Sequence, residues 1–354
     1  MAVTSDILRT WTGPGSVVAG LASMASAAVL IHALFIDPIT WGLMRFMTGV
    51  CMAGLYVTEE SWLNDLATNQ TRGRLLSIYM VVTMGGMTIG QFLLDVADPD
   101  GVKLFLLSSV LVSASLIPIV FSASSNPPLA IAERMSLREL AAVIPTGIFC
   151  SFWNGAAIGI LMGLGPVYAV AVDVPESRLA VFLAAPLFGS MLLQWPVGFI
   201  SDRVSRRSVI LIIAGIALVV CVVLAGVTEG SWASVGLMAL LGAVGFPIYS
   251  LTIAYTADWL SNEKLTAGSA VLVRVNGVGA LLGPVSASVV IGVLSPVAYF
   301  WTMAVCFGVI VGYLAYRIVV TDAPESQREY VAFPARASAT AITLMRGQRK
   351  RIVD

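Results

Sequence analysis

The chain has 354 residues, and its 20 Lys and Arg balance 20 Asp and Glu. Apolar side chains make up 58% before 32 glycines are counted, and charged ones only 11%, where soluble domains carry about 45–50% with glycine included and about 25%. This composition excludes an ordinary soluble enzyme, a disordered tail and a nucleic-acid-binding protein, because so much apolar surface has to face lipid.

A bilayer core of about 30 Å takes about 20 apolar residues of helix. Ten runs approach that length: Ser16–Ile36, Ile39–Thr58, Leu75–Leu94, Leu104–Phe121, Ala141–Val172, Leu179–Ile200, Ser208–Val227, Trp232–Ala257, Ser269–Val293 and Pro296–Val319. The first is too long for a signal peptide, and Asp6 weakens the positive region such a peptide needs. The fifth carries Asn154-Gly155 and Gly163–Pro166 and is expected to be one tilted or kinked helix. The ten-residue alternation of a β-barrel is absent. The pattern predicts an all-α polytopic membrane protein with ten transmembrane helices.

Basic residues give an orientation. Arg9, Arg72, Arg74, Arg134, Arg138, Arg203, Arg206, Arg207 and Lys264 lie in loops on one side, together with the seven cations of the C-terminal end from Arg317 to Arg351. The other side has Lys103 and Arg178. The positive-inside rule makes the richer side cytoplasmic, and an even number of spans puts both termini there.

The longest interior polar stretch, Ser122–Arg138, contains Pro127-Pro128 and divides four spans from six. The expected organisation is a four-span bundle over 1–121, a cytoplasmic linker over 122–140, a six-helix bundle over 141–319 and a basic tail over 320–354. The halves echo each other. Trp62-Leu63-Asn64-Asp65 ends span two and Trp259-Leu260-Ser261-Asn262 ends span eight, each followed by a polar loop and a Gly-rich span. Internal repeats of this kind are a common way to build secondary transporters.

Cys51, Cys150, Cys221 and Cys306 all sit in apolar runs without CxxC spacing, so they are expected as core residues, with no disulfide framework and no metal site. No Walker A pattern, HExxH or Ser/His constellation occurs. Neither a cofactor nor an enzymatic activity is expected. Arg45 and Arg274 stand inside apolar spans, where a lone charge costs several kcal/mol. They are candidate coupling residues, with snorkelling to the interface as the plain alternative.

The sharpest motif is Gly198-Phe-Ile-Ser-Asp202-Arg203-Val-Ser-Arg206-Arg207, between spans six and seven. It resembles the G-x-x-x-D-R-x-G-R-R signature of the major facilitator superfamily, with Ser205 in place of the second glycine, where a less constrained turn is expected. Further stretches resemble the YcaD-type branch of that superfamily: Arg45-Phe-Met-Thr-Gly49, Glu59-Glu60-Ser61-Trp62-Leu63-Asn64, Thr71-Arg72-Gly73-Arg74-Leu75-Leu76, Gly163-Leu-Gly165-Pro166-Val-Tyr168, Gln194-Trp195-Pro196 and Phe246-Pro247-Ile-Tyr249-Ser250. Together they cover roughly residues 10–320.

The resemblance implies a fold of two helical bundles around a central cavity, working by alternating access. Four spans precede the linker where the family has six, so the family's first two helices are expected to be missing and the fold N-terminally shortened. The function implied is secondary active transport of a small molecule, proton-coupled and in the export direction, in a bacterial inner (plasma) membrane. Its partners are the substrate, protons and membrane lipid. The alternative is a non-transporting truncated membrane protein or partner-binding remnant.

Several residues take roles from the resemblance alone. Glu60 matches the branch's E-S-W-L-N stretch and is a candidate coupling carboxylate. Trp153, Asn154, Tyr168, Tyr249 and Tyr255 fall on family cavity helices and are candidate substrate contacts. Gln194 and Asn276 are expected to hydrogen-bond between helices, and lone His32 is expected to sit on a peripheral helix. The signature loop is expected to form a conformational lock, with Arg206 bridging Asp202 and Asp258 and with Asp202 also facing the start of span three near Arg74 and Leu75.

Overall fold

The computed structural model describes residues 14–66, 72–98, 101–121, 135–227, 230–261 and 264–320. Every regular element among them is helical: α1 (Pro14–Leu34), α2 (Pro38–Leu66), α3 (Arg72–Gln91) with a 3-10 turn at Phe92–Asp95, α4 (Lys103–Ala114), α5 (Leu116–Phe121), α6 (Leu137–Val143), α7 (Pro145–Ala171), α8 (Glu176–Ser201), α9 (Arg206–Leu224), α10 (Trp232–Trp259), α11 (Leu265–Val293) and α12 (Ala298–Val320). Among the described residues seven helices are long and apolar enough to cross a bilayer: α1, α7, α8, α9, α10, α11 and α12. The apolar runs at α2, α3 and α4–α5 are also helical.

The fifth run is not one helix. It breaks at Ile144, which takes an extended φ of −140° and ψ of 73° between α6 and α7. The cause is Pro145: its ring excludes the helical conformation from the residue before it, and its missing N–H suits the first position of a new helix. A capping box starts α6, with the Ser136 hydroxyl accepting from the Glu139 N–H at 3.2 Å and the Glu139 carboxylate from the Ser136 N–H at 2.8 Å. Asn154-Gly155 and Pro166 both lie inside the uninterrupted α7.

The helices group into two compact units. In the first, α1 packs on α2 and α4. Ala22, Ala25 and Ala28 are buried at that contact, and the Ser26 hydroxyl meets those of Ser109 at 2.6 Å and Ser113 at 3.0 Å. His32 lies buried in this unit, its Nδ1 2.7 Å from the Ala28 carbonyl, among Trp41 and Phe105.

The second unit holds α3 and α6–α12, so α3 groups by packing with the C-terminal helices, on α8. Glycine sets its closest crossings. A Cβ at Gly155 or Gly159 of α7 would run into the backbone of Asn276 or Ala280, and one at Gly279 or Gly283 of α11 into that of Phe152 or Ala156. Small residues four apart on both helices let the backbones meet, the usual membrane solution where no water drives the helices together. Gly189 of α8 and Gly242 of α10 make the same approach to Ala239 and Pro186. The core of the unit is α10, buried at every position from Leu241 to Ala257. A helix that is apolar all round belongs in such a place. The expected linker at 122–140 falls largely outside the described residues, and the tail beyond 320 falls outside them entirely.

Candidate functional site

Two features of the second unit carry chemistry. The first is the signature loop. Helix α8 ends as Gly198 offers its carbonyl to the Asp202 N–H at 3.1 Å and to the Ser201 hydroxyl at 2.7 Å. The chain then turns through Ser205, at φ −51° and ψ 118°, which any L-residue adopts. The missing second glycine therefore costs nothing there. Arg206 and Arg207 open α9 pointing inward, and both are buried.

A buried guanidinium needs partners for its charge and its N–H groups. Arg206, with no side-chain exposure, donates through Nη1 to both oxygens of Asp258 at 2.6 and 2.7 Å and to the Ala254 carbonyl at 3.2 Å, and through Nη2 to Asp202 at 2.9 Å. The two carboxylates differ: the Asp258 side chain is fully buried, whereas that of Asp202 is 32% exposed. Arg206 thus joins the end of α8, the start of α9 and the last turn of α10. Arg207 reaches the Arg317 carbonyl of α12 at 3.4 Å, and Arg203 lays its guanidinium 3.5 Å over the Phe199 ring. The Arg74 side chain, which sequence reasoning put near Asp202, lies outside the described residues.

The second feature is a partly open cavity of about 300 Å³ lined by α3, α7, α10 and α11. It lies at mid-depth: Gly155–Gly163, Phe246 and Asn276–Pro284 are the central turns of their helices. Met84, Met87, Ile158, Met162 and Phe246 supply its large apolar side chains, and Asn276 its polar one. Asn276 donates through Nδ2 to the Ser151 carbonyl at 3.0 Å, tying α11 to α7, and Gln194 likewise ties α8 to α10 through the Ser250 hydroxyl at 2.8 Å.

None of the five candidate contacts is among the described residues that line this cavity. Asn154, one residue from its wall, is 1% exposed, and neither amide atom has a hydrogen-bond partner among the described residues. Trp153 and Arg274 line a separate apolar cavity of about 500 Å³ between α7 and α11, with the Arg274 Nε turned back to its own helix at Ala270 O, 3.1 Å away. Tyr168 is buried, stacked on Tyr299 at a centroid distance of 4.7 Å and edge-to-face with Phe300 at 4.9 Å. Tyr249 and Tyr255 are buried on α10, the latter edge-on to Trp259. Arg45 is exposed on α2, Glu59 is half-buried, and the Glu60 side chain lies outside the described residues. Sequence reasoning missed the methionines. Their only sequence signal was indirect, the glycines at 155, 159 and 163 that mark one face of α7.

The Major Facilitator Superfamily family model matches residues 147–351, more than half of the chain. The chain belongs to this superfamily. The uncharacterized MFS-type transporter Ent638_1421 of Enterobacter sp. strain 638 is 28% identical over 273 residues, covering 75% of this chain and 69% of the relative. The uncharacterized MFS-type transporter YcaD of Escherichia fergusonii is 28% identical over 271 residues with the same shares. Among solved structures, the fold is similar to that of the MFS transporter FucP in its outward conformation, with a TM-score of 0.53, 14% identity and coverage of 85% of this chain and 82% of that one. It is also similar to the human organic anion transporter MFSD10, with a TM-score of 0.58, 13% identity and coverage of 85% and 77%. Superfamily membership and apolar spanning helices make this an integral membrane protein of a transporter family rather than an enzyme.

Proposed function

We propose that this superfamily member is a secondary active transporter that moves a small molecule outward across the bacterial inner membrane by alternating access, at the expense of the proton gradient. Both termini face the cytoplasm in this reading. The observation that carries it is the run of α10 from Phe246 at the mid-depth cavity to Asp258 in the Arg206 cluster. Twelve residues at 1.5 Å each separate them by about 18 Å. One continuous helix therefore links a place for cargo to a charged cluster able to hold one end of the bundle shut. Asp202, being partly exposed, is the member that can trade Arg206 for water as that end opens. The Arg206 cluster then acts as a lock on the cytoplasmic side, and Glu60 takes the coupling proton at the inner end of α2. The positive-inside count supports the orientation.

Proteoliposomes loaded with a pH-sensitive dye test coupling. Solute-dependent proton movement is expected in the native protein and is lost in Glu60→Gln at unchanged expression. Solute flux indifferent to collapse of the pH gradient overturns the coupling. Thiol labelling of cysteines placed at Asp98 or Glu176 from outside intact cells, and of Ser205 or Gln348 only after permeabilisation, supports the orientation. Labelling of a cysteine at Ser205 from outside reverses it.

A further inference from the structure

The lining of the mid-depth cavity restricts what it can hold. We infer that it binds an uncharged amphiphile of one or two rings, held by apolar contacts and by one hydrogen bond to the Asn276 amide. Making this ligand the cargo rests on the transport reading above; its binding does not.

Charge decides the class. No ionisable side chain is among the described residues that line the cavity. An ion entering there would exchange water for thioether, phenyl and methyl groups with no counter-charge. Arg274, an ionisable group on the same helix, lies on the other cavity with its Nε turned to Ala270.

Shape and polarity set the rest. Ligand sites start near 300 Å³, the size of this cavity, which suits a small ligand of one or two rings. Two walls are fixed, because the backbones of α7 and α11 already touch at Gly155, Gly159 and Gly283. Met84 and Met87 face them from α3 and Met162 projects from α7 itself, and these unbranched, polarizable side chains re-form around flat apolar bodies of differing outline. Asn276 is held by its bond to Ser151 O, which spends one of the two N–H groups. One N–H and the amide oxygen remain, a donor and an acceptor suited to a neutral amide or hydroxyl.

The test uses the full chain in lipid nanodiscs with methionine carrying ¹³C at its methyl group. The Met87 and Met162 signals are assigned with Met→Leu variants, and three probes of one ring size are titrated: benzamide, benzoate and benzylammonium, followed by indole. Benzamide and indole should shift the two signals saturably, and the charged probes should bind about 100-fold more weakly. Asn276→Leu should weaken benzamide about tenfold and leave indole nearer its native affinity. Saturable shifts from a charged probe at the affinity of benzamide overturn the inference, as does the absence of a saturable shift with both neutral probes. Radiolabelled benzamide uptake in proteoliposomes is scored separately. Binding without uptake keeps the inference and sinks the transport reading.

Discussion

Arg206 holds two carboxylates in unequal settings: Asp258 is met at 2.6 and 2.7 Å with its side chain fully buried, and Asp202 at 2.9 Å with its side chain partly exposed. Removing one partner of a buried ion pair strands the other charge and costs about 3–5 kcal/mol, whereas a partly exposed pair contributes about 0.2–1 kcal/mol. Asp258→Ala is therefore expected to lower the unfolding temperature in detergent strongly, and Asp202→Asn only slightly. Equal effects would show that the burial difference does not govern the cluster.

The weak arm of that cluster has a functional prediction. Asp202→Asn keeps shape and hydrogen-bonding capacity but removes the charge that faces Arg206. Losing up to about 1 kcal/mol leaves the fold intact and still tilts two conformations that differ by a few kcal/mol. Spin labels at exposed Ile78 of α3 and Ile200 of α8 should report a broader, longer distance distribution in the variant. An unchanged distribution leaves the charges with a topological role alone.

Helix positions were legible in the sequence because twenty apolar residues in a row have few alternatives in lipid. The break at Ile144 was not read, although its cause, Pro145, stood in the sequence; the run looked continuous because hydropathy does not register a missing N–H. The signature loop was legible from Gly198 and Asp202 in register with three arginines. The cavity was not, because Met84 and Met87 of α3 meet Met162 of α7 only through tertiary packing, and an apolar residue in an apolar span carries no mark of which side it faces.

A pH prediction follows from the cap of α6. Hydrogen bonds from the Ser136 backbone and side chain hold the Glu139 carboxyl below the usual glutamate range. A carboxylate lowered in the folded state contributes its stability in full above its unfolded value and loses it as pH falls through the lowered one. Carbon-13 titration should place Glu139 below a reference glutamate, and Ser136→Ala should return it upward. A native value at the reference contradicts the capping box.

The glycines divide by what surrounds them. A Cβ at Gly279 would run into the backbone of Phe152, whereas one at Gly277 or Gly292 would meet no neighbouring described residue. Overpacking a tight crossing costs about 1–3 kcal/mol and often more when backbone must move. Gly279→Leu should lower folded yield in membranes sharply, while Gly277→Ala and Gly292→Ala should match the native protein in size-exclusion profile. A well-folded Gly279→Leu would remove the close α7–α11 approach from the account of the fold.

Asn154 poses the opposite problem. It is buried with both amide atoms unpartnered among the described residues, beside the cavity wall formed by Gly155 and Ile158. A polar group left so costs about 1–3 kcal/mol, and exchanging it for an apolar group of similar shape removes that cost. Asn154→Leu is therefore expected to raise the unfolding temperature. A residue kept at such a cost serves a state other than this one, in which α7 has moved and the amide meets cargo or another helix. The same variant should then lose transport as it gains stability. Unfolding curves and uptake measured on one preparation separate the two roles. A variant that is both more stable and fully active makes Asn154 a packing residue only, and one that is less stable shows that the amide is paired in the membrane after all.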